Sequence, residues 1–273
     1  MYDNSPLKKK TSYTQMYSPQ LLFPILRKEK RDELNIKTLP FDGYDVWNAY
    51  ELSWLNLKGK PQVALAEFVF PVNSKNIIES KSFKLYLNSL NNMRYESMDM
   101  VQTLLQKDLS ACVDDLVTVR LFDVNTENMK IKQPMGMCLD VLDVSCDSYQ
   151  VNTNYLFSDD EVVCDDIVYS NLLKSNCLVT EQPDWGTVVI QYSGKRINYE
   201  GLLKYIVSFR NHNEFHEQCV ERIFMDLTRC CDVKKLCVRA NYTRRGGLDI
   251  NPIRASLNYS LPEKSINYRF IRQ

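Results

Sequence analysis

The stretch Ala49-Tyr-Glu-Leu-Ser-Trp-Leu-Asn-Leu-Lys-Gly-Lys-Pro-Gln-Val-Ala-Leu-Ala-Glu-Phe-Val-Phe70 has the pattern of a β-hairpin. Tyr50, Leu52 and Trp54 fall on one face of an alternating run, Ala49 to Leu57, and Gln62 to Phe70 is a second apolar run. Period-two alternation is what a half-buried strand requires, and Lys58-Gly59-Lys60 supplies a turn between the runs. Downstream the period changes. Phe83, Tyr86, Leu87 and Leu90 recur at i, i+3, i+4 and i+7, one stripe of a helix, and Met98, Val101, Leu105 and Leu109 line another. Leu116 to Val124 and Met137 to Val144 return to strand patterns and are expected to pair.

The same order recurs in the second half. Asp166 to Leu173 and Gly186 to Tyr192 read as strands. Tyr199, Leu202, Leu203 and Ile206 give one helix face, and Val220, Ile223, Phe224 and Leu227 give the next. Leu236, Val238, Ala240 and Tyr242 then alternate against Cys237, Arg239 and Asn241, and a last strand is expected within Arg254 to Tyr259. Each half reads as hairpin, two helices, hairpin. The fold class is therefore α+β, with two tandem halves, 1–150 and 151–273, joined through the polar stretch Ser145 to Asp160. Glu79 precedes Glu96 by seventeen residues and Glu200 precedes Glu217 by the same distance, which fits a duplication or chance.

A chain of 273 residues is long enough for one large core or two ordinary ones. Its 34 basic and 34 acidic residues balance, so no whole-chain field draws it to nucleic acid or to a membrane. No apolar run approaches membrane-spanning length. The first twenty residues are polar, include Lys8-Lys9-Lys10, and lack the apolar stretch of a signal peptide, so cytoplasmic residence is expected. Nine cysteines read there as reduced thiols. With no Cys-x-x-Cys pair and only His212 and His216, a zinc site has little to build on, and no metal is expected. Eight glycines form neither a Rossmann fingerprint nor a P-loop.

The two halves differ at their first hairpin. The first turns tightly at Lys58-Gly59-Lys60, whereas the second is expected to run as a loop from Lys174 to Trp185. That segment carries Cys177, set among polar residues, and Asp184 seven residues on. A thiol needs a lowered pKa or a nearby base to act as a nucleophile. Asp184 suits a proton relay, or a turn after Pro183. His216-Glu217 begins the Val220 helix, where Asn213 is expected to cap and Glu217 to favour the helix dipole. Glu79-Ser80-Lys81 precedes the Phe83 helix. Ser80 suits a cap, and Glu79 suits the N–H edge of a guanine-like ring, because a carboxylate accepts two hydrogen bonds. Arg244-Arg245-Gly246-Gly247 suits either a charged hairpin turn or a phosphate.

Three of these segments together resemble a known family. Glu79-Ser-Lys-Ser-Phe-Lys-Leu-Tyr86, Ser175-Asn-Cys-Leu-Val-Thr-Glu-Gln-Pro-Asp-Trp-Gly186 and Phe215-His-Glu-Gln-Cys219 look like the signatures of NADPH-dependent 7-cyano-7-deazaguanine reductases, the nitrile reductases of queuosine biosynthesis. The resemblance covers nearly the whole chain and matches the long tandem form. It implies the tunnelling fold, in which such units assemble into a β-barrel oligomer, commonly a homodimer. It also implies roles at matching positions. Cys177 attacks the nitrile and gives a thioimide. Asp184 transfers protons, and His216 assists or orients the intermediate. Ile78, Glu79, Ser80, His216 and Glu217 hold the deazaguanine. Ser80, Lys81, Arg245 and Gly246 contact NADPH, of which two are consumed per turnover. Leu178 stands where a proline is expected after the nucleophile, which alters loop stiffness.

Three other readings stay open on the residues alone. They are a zinc-dependent cyclohydrolase-like enzyme, a cysteine hydrolase using Cys177, His216 and Asp184, and a non-catalytic deazapurine-binding protein.

Overall fold

The structure, a computed structural model, describes residues 16–125, 130–261 and 268–273. The Lys8-Lys9-Lys10 run lies outside the described residues. In chain order the elements are β1 Pro24–Leu26, α1 Arg27–Glu33, β2 Phe41–Leu55, β3 Pro61–Pro71, β4 Asn76–Ile78, α2 Ser80–Asn88, α3 Met98–Val113 and β5 Thr118–Phe122. There follow β6 Lys130–Lys132, β7 Met137–Cys138, β8 Ser158–Asn176, β9 Pro183–Ile197, α4 Tyr199–Ser208, α5 His216–Cys230, β10 Val233–Tyr242, β11 Leu248–Ser256 and β12 Tyr268–Phe270. The class is α+β, with mainly antiparallel pairing. Among the described residues no helix is long and apolar enough to cross a membrane.

The chain folds as two compact units that do not follow it in order. One contains the described residues of Met1–Lys30, Asp45–Met129 and Arg244–Asp249; the other contains those of Arg31–Tyr44, Lys130–Thr243 and Ile250–Gln273.

In the first unit the strands run β5-β3-β2, and β1 pairs antiparallel with β4. The hairpin forms as expected, closing over Asn56–Lys60. Leu52 and Trp54 are buried beneath it. Helices α2 and α3 present the expected apolar stripes: Phe83, Tyr86, Val101, Leu105 and Leu109 are fully buried. Phe83 is the hub. Its ring meets Phe68 at 5.0 Å and Trp47 at 5.4 Å, both near edge-on, the arrangement that aromatic quadrupoles favour. Asp108 on α3 accepts hydrogen bonds of 2.6 Å from the hydroxyls of Tyr17 and Tyr86, tying α3 to α2.

In the second unit the order is β11-β10-β9-β8-β7. Val188, Ile190 and Tyr192 of β9 and Val238, Ala240 and Tyr242 of β10 share one face, buried with Leu202, Ile206, Val220, Ile223, Phe224 and Leu227 of α4 and α5. Cys237 and Asn241, on the opposite face of β10, are buried too, so both faces of this strand are covered. Arg254 of β11 is fully buried. Its guanidinium donates to Glu221 Oε1 at 3.1 and 2.9 Å, and Arg31 donates to both oxygens of the same carboxylate at 3.0 and 2.7 Å.

Four sequence expectations are corrected. Met137 to Val144 is not a strand: β7 is two residues long and a 3₁₀ turn follows at Leu139–Val141. Nor do β5 and β7 pair. β5 joins β3, and β7 lies parallel to β8 with Met137 opposite Val168. The last long strand begins earlier than expected, at Leu248, and ends at Ser256. Finally, Lys174 to Trp185 is not one irregular loop. Lys174 pairs with Trp185, Ser175 with Asp184 and Asn176 with Pro183, which leaves only Cys177 to Gln182 as connection. That is one residue longer than the connection Asn56–Lys60, so the expected contrast in loop length nearly disappears.

Candidate active site

The strand register places the nucleophile candidate. Cys177 N–H donates to Gln182 O at 2.8 Å and its carbonyl accepts from Glu181 N–H at 3.0 Å, so the turn closes on Cys177 itself. Glu181 carries the left-handed residue of this turn, at φ 57°. Leu173 and Ser175 alternate on β8, Cys177 is the next residue of that series just past the strand end, and all three are buried. Cys177 therefore continues the two-residue period of the strand into the turn, although its sequence neighbours are polar. Asp184 lies directly across from Ser175 and is 6% exposed, which makes Cys177 and Asp184 diagonal neighbours on the helix-covered face. Both are occluded from water, where a charge interaction is strengthened.

A second segment locks onto the end of β8. Asn176 N–H donates to His212 O at 2.8 Å, Glu214 N–H donates to Asn176 O at 3.0 Å, and Asn176 Nδ2 donates to Asn213 Oδ1 at 3.0 Å. The residues entering α5 thus run parallel to those entering the Cys177 turn. Asn213 is consequently engaged with Asn176 and does not cap α5. The cap position is Phe215, with no side-chain cap. His216 and Glu217 form the first turn of α5. His216 Nε2 stands 3.7 Å from Asp184 Oδ1, an ion-pair distance but long for a hydrogen bond. The His216 ring meets the Tyr242 ring at 4.0 Å and 84°. Glu217 is 3% exposed.

Glu214 anchors this segment. Its carboxylate accepts from Arg222 Nε and NH2 at 2.9 and 2.8 Å, and His212 Nε2 lies 3.0 Å from Oε2. Burial alone would raise the Glu214 pKa, but hydrogen bonds from His212 and Arg222 more than offset it and bring it from 4.5 to about 2.

The first unit holds the other candidates. Ile78 ends β4 and is buried. Glu79, 1% exposed, is the N-cap of α2, a role expected of Ser80. Its Oε1 accepts from Lys81 N–H at 2.8 Å and its Oε2 from Ser82 N–H at 2.7 Å. Burial raises its pKa, while these bonds and the Lys84 and Lys81 charges pull it down. A carboxylate has about four lone-pair sites, so two remain for a ligand. A cleft of about 550 Å³ is lined by Lys81, Lys84, Glu51, Asn88, Gly246 and Gly247. Ser80 precedes the first of these and Arg245 precedes the glycines. Arg245 N–H donates to Leu248 O at 2.9 Å across a two-residue turn with Gly246 at φ 60° and Gly247 at φ 72°, the positive angles such hairpins require. Arg244 stacks on Tyr50, 4.2 Å from the ring centre, and Tyr50 donates to Asp249 at 2.6 Å, which fixes the turn from below.

Comparison with known proteins is decisive for the family. The family model described as "Nitrile reductase, 7-cyano-7-deazaguanine-reductase N-term" matches residues 13–121, and that described as "QueF-like protein" matches residues 183–259. The protein named NADPH-dependent 7-cyano-7-deazaguanine reductase of Hydrogenovibrio crunogenus is 56% identical over 256 residues, 93% of this chain and 92% of its own length. That of Cupriavidus taiwanensis, with the same name, is 55% identical over 98% of each chain. The chain belongs to the 7-cyano-7-deazaguanine reductase family. A crystal structure of the archaeosine synthase QueF-Like in the apo form aligns at a TM-score of 0.32 and 14% identity, over 37% of this chain and 99% of that one.

Within this reductase chain the expected site residues thus fall into two groups. Cys177, Asp184, His216 and Glu217 lie in the second unit; Ile78, Glu79, Ser80, Lys81, Arg245 and Gly246 belong to the first. Among the described residues no three His, Cys, Asp or Glu side chains are grouped to hold a metal ion. Ser175, Glu214, Arg222 and Tyr242 were missed as supports of the site. The only signal for Glu214 was its place between the two histidines.

Proposed function

We propose that this protein reduces the nitrile of 7-cyano-7-deazaguanine to the primary amine with two equivalents of NADPH, within queuosine biosynthesis. The observation that carries the reading is the β8–β9 turn, which holds Cys177 and Asp184 on one occluded face with His216 3.7 Å from Asp184, in a chain 56% identical to a protein of that name.

The chemistry follows from the residues. A nitrile accepts hydride poorly, and addition of a thiol converts it to a polarised C=N tethered to the protein. The Cys177 sulfur forms the C–S bond while the nitrile nitrogen takes a proton, giving a thioimide. NADPH, when bound, supplies hydride to that carbon in each of two rounds. After the first round the C–S bond breaks, the sulfur leaves with the bonding pair, and an imine remains. The second round gives the amine. The balance is one nitrile, two NADPH and two protons for one amine and two NADP⁺. During the two reductions Asp184 delivers protons to the substrate nitrogen, and His216, beside it, holds Asp184 and the intermediate in place. Glu217 and Glu79 accept from the N–H edge of the deazaguanine, with Ile78 and Ser80 alongside. The cleft at Lys81 fits a phosphate-bearing cofactor. A Cβ on Gly246 would stand 3.1 Å from Lys84 Cδ, so bare backbone faces the Lys84 side chain there, while one on Gly247 would stand 2.5 Å from the Glu51 carboxyl carbon. Ser80, Lys81, Arg245 and Gly246 would hold NADPH there.

We further read the two halves, 1–150 and 151–273, as tunnelling-fold units that close into a β-barrel with a second copy, as a cytoplasmic homodimer. In support, a hairpin is followed by a helix pair twice along the chain, and all nine cysteines are free. Light scattering on the purified protein tests the dimer; a monomer at micromolar concentration contradicts it. Intact-mass spectrometry with the nitrile and without NADPH tests the capture. A single adduct on the wild type and none on Cys177→Ala supports it; an adduct on both variants sinks it.

A further inference from the structure

Tyr242 closes β10, is fully buried, and pairs with Gly186 across β9. Gly186 has no left-handed backbone angle that would demand glycine. Space demands it instead. A Cβ there would stand 3.2 Å from Tyr242 Cδ1 and 3.3 Å from Cε1, closer than ordinary van der Waals contact. The ring therefore lies against the bare backbone of β9. From that seat it meets the His216 ring at 4.0 Å and 84°. Asp184, which faces His216 Nε2 at 3.7 Å, lies two residues before Gly186 on the same face. Four residues thus form a contiguous series: Gly186, Tyr242, His216, Asp184.

The phenol hydroxyl takes no part in it. Tyr242 OH points to Ser175 Oγ and to the thiol of Cys219, although neither hydroxyl has a partner at strict hydrogen-bond geometry. Burial, then the Cys219 and Asp184 charges, hold the Tyr242 pKa well above its ordinary value, so the hydroxyl stays neutral. What the residue contributes is its ring.

We propose that Tyr242, seated on Gly186, is the positioning residue that sets the orientation of His216 toward Asp184. The inference rests on the reading of His216 and Asp184 as the proton-transfer pair. A misplacement of about 1 Å costs on the order of a hundredfold in rate, so loss of the ring is felt in reduction more than in capture.

The test uses the full-length protein and three variants: Tyr242→Phe, Tyr242→Leu and Gly186→Ala. Only two histidines exist, so the imidazole resonances of His216 are assigned by their loss in His216→Asn. The expected result is that Tyr242→Leu and Gly186→Ala shift the His216 resonances and titration midpoint but leave those of His212 unchanged. Both slow NADPH oxidation by about tenfold or more while the covalent adduct still forms, and Tyr242→Phe restores the rate to within about threefold. Unchanged His216 resonances in both Gly186→Ala and Tyr242→Leu overturn the proposal. So does a Tyr242→Phe variant as slow as Tyr242→Leu, because the hydroxyl would then be the working group. If His216→Asn reduces the nitrile at the wild-type rate, the proton-transfer reading fails, and the resonance shifts still judge the positioning.

Discussion

Replacing Glu214 with Gln removes one charge from the clamp on the Cys177 turn and keeps its shape. Glu214 is 2% exposed and holds the Arg222 fork and His212. Its pKa falls from 4.5 to about 2, which corresponds to about 3 kcal/mol of preference for the ionised folded form. Breaking one partner of a buried pair costs about 3–5 kcal/mol, and Arg222, 21% exposed, retains enough water to favour the lower figure. The sign is that of a depressed carboxylate. The contribution is complete above pH 4.5 and is lost as pH falls toward about 2. Glu79 and Asp226, whose pKa values burial raises, act in the opposite sense, but they are common to both proteins and cancel in the difference. Urea unfolding of wild type and Glu214→Gln at pH 7, 5, 4 and 3 should show a variant about 3 kcal/mol less stable at pH 7, with the gap narrowing below pH 4.5. Adduct formation should slow by about tenfold, because the segment bonded to Asn176 loosens beside the nucleophile. A gap under about 1 kcal/mol at pH 7, or one as large at pH 3 as at pH 7, would refute the reasoning.

Three more perturbations separate the parts of the account. Asp184→Asn should still form the adduct but slow its reduction by about a hundredfold, measured by single-turnover NADPH oxidation; loss of the adduct itself would contradict a role confined to reduction. Gly247→Ala forces a side chain to φ 72° and against Glu51, so the KM for NADPH should rise severalfold while nitrile capture at Cys177 stays intact. Arg254→Met removes a fully buried guanidinium from Glu221 and should lower stability by about 3 kcal/mol, seen as a lower urea midpoint at unchanged m-value.

The helices were legible because each carries a full apolar stripe. Phe83, Leu105, Ile206 and Ile223 are all buried where the 3.6-residue period puts them. The first hairpin was legible from its alternation and its glycine turn. The short strands β1, β6 and β12 were not, because strands of three residues carry too little period to distinguish from loop, and α1 consists of charged residues with no apolar stripe. Lys174 to Trp185 misled for another reason. Its residues are polar, yet they pair across β8 and β9, with Ser175 and Asp184 both buried. Local polarity and strand geometry conflict there, as they do at functional sites. The seventeen-residue spacing of glutamates did not mark equivalent positions. Glu79 caps α2 and is buried, whereas α4 is capped by Asn198 and Glu200 is exposed.

Of the candidate site, the residues proposed to touch substrate carry the motifs of the family resemblance, and their supports carry no motif. Glu214 and Arg222 are eight residues apart, and Gly186 and Tyr242 meet only through strand pairing, so no local pattern announces either contact. The cap role of Glu79 was hidden because Ser80, the better capping residue by type, stands next to it and is already helical.

The central claim is that Cys177 captures the nitrile so that two hydrides are spent on one molecule. Its most direct test is the stoichiometry of NADPH oxidation at limiting 7-cyano-7-deazaguanine, with the product identified by mass and Cys177→Ala run in parallel. The account predicts two NADPH per nitrile, the primary amine as sole product, and no oxidation by the variant. Turnover by Cys177→Ala, or one NADPH per nitrile, would contradict it.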